Sequence, residues 1–231
     1  MRRLIHIAIG ALLLVPAASF AGEIIDAVVA TVSRQPVLQS EWDDATRFEA
    51  FMQQKPLSAI SDRDRVSALQ RLIDRRLLEV QMNNPNYLAP SAEELRSAVA
   101  KLRAQIAAAK DEAGWQAILA EYSFTQREIE NHLRAETQMM NFVEVRLRPA
   151  VHIRPEEVEA YYRAQVLPDL EKAGVKMVTL QEVEPKIREL LVQQHMDELL
   201  DAWLHNLRQQ TPVRSTVPLP ASLEHGVMGG N

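Results

Sequence analysis

Glu128, His132 and Glu136 recur every fourth residue, a spacing that on a helix aligns two carboxylates and an imidazole along one side. Such a set can ligate a divalent metal. Arg127 and Arg134 lie close enough in sequence to neutralise those carboxylates, so a solvated helix face is expected and no metal site is assigned. His6 lies in the leading segment, and none of His132, His152, His195, His205 and His225 forms an HExxH pattern. Ser91, Ser123 and Thr125 have no base beside them, and hydroxyls so placed read as caps rather than nucleophiles. Glu156-Glu157 resembles an acid/base pair, but it follows Pro155 in a first helical turn, where the helix dipole favours acidic side chains. The chain has no cysteine, which excludes disulfides, thiolate zinc sites, iron–sulfur clusters and cysteine nucleophiles together. The reading therefore assigns no catalytic, cofactor-binding or metal-binding residue.

The elements that would have to position any site are mainly helical. Of 231 residues, 47% are hydrophobic and 25% charged, a globular balance. Only 7 glycines and 5% aromatics disfavour a turn-rich β-sandwich or a glycine-loop nucleotide fold. With 26 Lys and Arg against 31 Asp and Glu, the net charge is -5, and no basic stretch offers a phosphate-binding face. Nucleic acid is not an expected partner. Met1-Arg2-Arg3, the uncharged stretch Leu4 to Val15, Pro16 and the small-x-small site Ser19-Phe20-Ala21 read as a secretory signal peptide over 1–21. The uncharged run falls short of the ~20 residues needed to span a bilayer, so cleavage after Ala21 and no stable membrane insertion afterwards are expected. No cysteine follows for a lipid anchor. The mature chain is placed in a bacterial periplasm, where ATP is absent.

Within it, the β-branched run Ile24 to Val32, a turn at Ser33-Arg34-Gln35-Pro36 and Val37-Leu38 predict a small hairpin. Ser40 is read as the cap of a helix carrying Trp42, Phe48, Phe51 and Met52. Val66, Leu69, Leu72, Ile73, Leu77 and Val80 mark the next helix, which stops at Asn83-Asn84-Pro85. Ser91 with Glu94, and Thr125 with Glu128, are capping boxes, the second opening a helix to about Arg146. A short helix is expected over Glu156 to Gln165, broken by Pro168 and Gly174, and a final one from about Pro185 to Gln209. The fold class is thus mainly α: an irregular bundle of six to seven helices with an N-terminal β-hairpin and a long C-terminal helix packing back on the first ones. The chain is divided into the signal peptide, a domain over 22–213 and a disordered tail over 214–231.

This order of parts resembles the amino-terminal chaperone domain of the SurA family of periplasmic chaperones. The residues that carry the likeness are IIDAVVATVSRQPVLQSEW, PEEVEAYYRAQ and TLQEVEPKIRELLVQQHMDELLDAWLHNL, covering about Glu23 to Val213. In that family the PEEVEAYY-like helix leads into parvulin-type peptidyl-prolyl isomerase domains. Here the stretch near 166–179 is far too short to hold one, so the isomerase module is absent and none of its catalytic residues carries over.

The resemblance implies an ATP-independent holdase whose partners are unfolded polypeptides, outer-membrane proteins among them. Trp42, Phe48, Phe51, Met139, Met140, Phe142, Val143, Tyr161 and Tyr162 are the candidates for a peptide-binding groove, because methionine and amphipathic aromatics suit surfaces that accept many sequences. Two other readings stand beside it: a peptidyl-prolyl isomerase, which the missing module opposes, and a structural subunit whose helix faces complete a homodimer.

Overall fold

The computed structural model describes residues 26–82, 88–106, 109, 111–174 and 178–219. The expected signal peptide over 1–21, Ile24 and Ile25, the Asn83-Asn84-Pro85 breaker and the expected tail beyond Leu219 lie outside the described residues. The fold is mainly α with a small antiparallel sheet. Strand β1 (Val28–Val32) pairs with β2 (Gln35–Leu38), and β3 (Val213–Ser215) pairs with the other side of β1, giving the order β2-β1-β3. The hairpin loop is only Ser33-Arg34, because Val32 already pairs with Gln35 and Thr31 with Pro36. Ser33 takes a positive φ of 57°, as the first position of a tight hairpin loop requires. Pro36 is therefore a strand residue rather than a turn residue, tolerated because β2 is an edge.

Strand β3 corrects the start of the disordered tail expected over 214–231; the part beyond Leu219 lies outside the described residues. Thr31 pairs with Arg214 and Val32 with Val213, and Leu219 is buried in the core beyond them. Chain order then runs through α1 (Gln39–Met52), α2 (Asp62–Gln81), α3 (Ala92–Gln105), α4 (Glu112–Glu121), α5 (Gln126–Leu147), α6 (Pro155–Tyr161), α7 (Leu167–Ala173) and α8 (Leu180–Gln210). Helix α1 starts one residue before Ser40. Its true cap is Leu38, whose N–H donates to the Glu41 carboxylate at 2.9 Å, while the Ser40 hydroxyl bonds Asp26 instead.

Pro168 does not break the chain into separate pieces. A π-turn over Tyr162–Val166 joins α6 to α7, with the Leu167 N–H donating to the Tyr162 carbonyl, and the wider turn admits the proline ring. Gly174, at φ 62°, ends that run. Helix α8 likewise begins a turn and more before Pro185. Thr179 caps it, its N–H and hydroxyl both donating to Glu182, at 2.7 and 2.8 Å.

Three apolar clusters follow. The central one joins the sheet to Trp42, the Leu69–Ile73–Leu77 stripe of α2 and Leu207 of α8. The Arg208 guanidinium fastens this end of α8 with two bonds to Asp74, at 2.8 and 2.6 Å. A second cluster gathers Phe48 and Phe51 with α3, α4 and the start of α5. The third is a satellite in which Ile187 and Leu191 of α8 cover Val158 of α6. The C-terminal helix packs back as expected, but its first half meets α6 and only its second half meets α2 and the sheet. Its apolar residues accordingly switch sides along its length.

Candidate peptide-binding surface

Helix α5 is positioned by its capping box. The Thr125 hydroxyl accepts from the Glu128 N–H at 3.3 Å, and the Glu128 carboxylate accepts from the Thr125 N–H at 2.7 Å. Its first half is sealed. Ile129 (0% exposed) and Leu133 (8%) lie against an aromatic group in which Phe51 meets Trp115, Tyr122 and Phe124 edge-on, at 6.2, 5.5 and 6.0 Å.

His132 lies flat on Phe48, ring centres 4.1 Å apart, with its Nε2 2.8 Å from Asp44 of α1. The hydrogen bond from His132 holds the Asp44 carboxyl below the usual carboxylate range, against its partial burial, and Arg47 adds a bond at 2.6 Å. The four-residue series is therefore divided: Glu128 is engaged in the cap and His132 on Asp44. Among the described residues no group of three or more potential ligands stands close enough to hold a metal ion.

The second half of α5 is half open. Met139, Phe142 and Val143 are partly buried against the central cluster, as are Leu200, Trp203 and Leu204 of α8. Phe142 and Trp203 have ring centres 5.8 Å apart, and the Arg146 guanidinium sits 5.8 Å over the Trp203 ring. Met140 is 70% exposed. It follows Leu133 by about two helical turns and Ile129 by about three, so it shares their side of the helix. The aromatic cover that seals those two does not reach it. Val145 (60%) and, on α8, Leu199 (37%) add further exposed apolar area.

Glu136 reaches solvent one turn before Met140 and makes no ion pair among the described residues. Crowding by the protein withdraws water and raises its carboxyl above the ordinary range; Arg75 and His132 oppose the rise and Glu49 adds to it.

The nine groove candidates are not brought together. Trp42, Phe48 and Phe51 are core, a correction with a plain cause: each faces the inner side of α1. There the Trp42 N–H donates to the Arg65 carbonyl at 2.6 Å, and the two phenylalanines pack into the second cluster. Tyr161 and Tyr162 belong to the satellite, where the Tyr162 hydroxyl donates to the Val178 carbonyl at 2.5 Å. Met139, Met140, Phe142 and Val143 alone share one region.

A cleft does exist between α1 and α2, about 180 Å³ in volume, but Glu49, Gln53, Lys55, Asp64, Ser67 and Arg71 line it. It is smaller than the roughly 300 Å³ at which ligand pockets begin, and its charges are paired, Lys55 with Asp64 and Arg71 with Glu49. Sequence reasoning missed the exposure of Val145 and Leu199, and Glu136 one turn before Met140 on the same side of α5. Counting back from Met140 in helical turns to Leu133 and Ile129 would have found the shared side, though not its lack of cover.

The class defined by these features is a helical scaffold with an open methionine-bearing face and a paired, polar cleft. No protein-family model matches the chain, and no curated protein matches it.

Proposed function

We propose that the protein is an ATP-independent periplasmic holdase that retains unfolded segments, outer-membrane-protein-like ones among them, on the α5 face around Met139, Met140, Phe142 and Val143. One observation carries the reading: Met140 stands 70% exposed on the stretch of α5 whose Met139, Phe142 and Val143 are only partly buried against the central cluster. Flexible thioethers beside aromatic rings repack around different side chains at low cost. A large apolar side chain held open where its helix neighbours are only partly covered offers an unfolded segment a place to dock. Covering it contributes ~25 cal/mol per Å² of apolar area, and the cost of ordering the client keeps each encounter weak enough to reverse without ATP.

The test is light scattering of a denatured β-barrel protein diluted into buffer. The native chain delays aggregation, and Met140→Glu, which places a charge on the face, removes most of the delay while the fold still melts normally. No delay at severalfold molar excess of the native chain overturns the reading.

A further inference from the structure

We propose that Glu136 makes the α5 face proton-responsive, so that client segments are held more tightly as the medium becomes mildly acidic. The inference rests on the reading of that face as the client surface. Glu136 lies one turn from Met140 and two from Val143 on the same side of α5, open to solvent.

The charges that face it are engaged elsewhere. Arg75 of α2 pairs with Glu79 at 3.1 Å, His132 of α5 with Asp44 at 2.8 Å, and Glu49 of α1 with Arg71. Asp44 and Arg47 of α1 lie beyond His132, bonded to each other at 2.6 Å. An apolar segment laid over Met140 and Val143 therefore strips water from a carboxylate that makes no ion pair among the described residues. Burying such a group charged is costlier than burying it neutral, so docking is accompanied by uptake of a proton from solvent. Protein crowding already biases the group in that direction. The bound state holds more protons than the free state, so affinity rises as pH falls, by at most about tenfold per pH unit for one proton.

The experiment uses the full chain and a short peptide rich in Leu, Phe and Tyr, with blocked termini, no side chain titrating in the range and a pH-insensitive dye. Anisotropy titrations run from about pH 7.5 down to about pH 4.5, entering the carboxylate range from above. The native chain should gain about three- to tenfold in affinity across that range. Glu136→Gln should bind at the acid-form affinity throughout, without slope. Glu144→Gln, whose carboxylate is paired with Arg148 at 2.7 Å, should keep the native slope. Calorimetry in two buffers of different ionisation enthalpy reads the proton uptake on the unaltered protein. Binding with no slope and no uptake, or a slope retained in Glu136→Gln, overturns the proposal. Absence of binding at every pH overturns the client-surface reading itself, and this one with it.

Discussion

The two halves of α5 present apolar residues on one side of the same helix and meet opposite fates. Ile129 and Leu133 vanish beneath the rings of Phe48, Phe51, Trp115 and Phe124, whereas Met140, further along that side, stands in solvent. Neither propensity nor periodicity differs between them. What differs is the neighbour: α1 and α4 supply rings to the first half, and the second half leans sideways on α8 through Phe142 and Trp203. A hydrophobic period specifies a face and leaves open whether anything covers it.

The largest effect expected from this contrast is at the sealed half. Phe51→Ala removes a fully buried ring among four others and should cost about 3–5 kcal/mol, seen as a large fall in the urea midpoint. Next is the satellite. Ile187→Ala should cost about 2–4 kcal/mol there. Because Val158 of α6 is buried in a satellite cluster with Ile187 and Leu191 of α8, apart from the α1–α2 core, the loss should appear as faster hydrogen exchange in α6 with the α1–α2 amides unchanged.

These elements were unequally legible in the sequence. The boxes Ser91/Glu94 and Thr125/Glu128 were readable because capping is local, its partners three residues apart. Strand β3 was not, because Val213 is specified by Val32 near the other end of the chain and a three-residue strand carries no period of its own. The run through Pro168 was hidden for a different reason: proline ordinarily stops an α-helix, and only the π-turn before it makes room. Of the proposed surface, the Met139–Val143 group was drawn from composition, which does not show that Met140 stands exposed while the other three lean on the central cluster. Trp42, Phe48 and Phe51 were misplaced because aromatic content alone does not say which way α1 turns.

Smaller effects refine the same comparison. Thr125→Ala should cost about 1 kcal/mol by leaving the first α5 amides unbonded, a loss felt by both halves. Backbone N–H donation from Ser91, Thr125, Arg154 and Thr179 holds Glu94, Glu128, Glu157 and Glu182 below the usual carboxylate range. Because the folded state favours their ionised form, the stability they contribute is complete above about pH 5 and lost as pH falls through the carboxylate range. The urea midpoint should fall between about pH 5 and about pH 3, and Thr125→Ala should flatten that fall. Met140→Ser should change stability least, by under ~0.5 kcal/mol, because the side chain it shortens already faces water.

The open half of α5 is tested most directly by photo-crosslinking. A diazirine side chain replaces Met140, or Arg96 on the exposed surface of α3, and each protein is irradiated with an unfolded β-barrel client. Strong capture from position 140, abolished by excess unlabelled client, with little from position 96, is the expected result. Equal capture from both positions, or none from 140, would contradict the account.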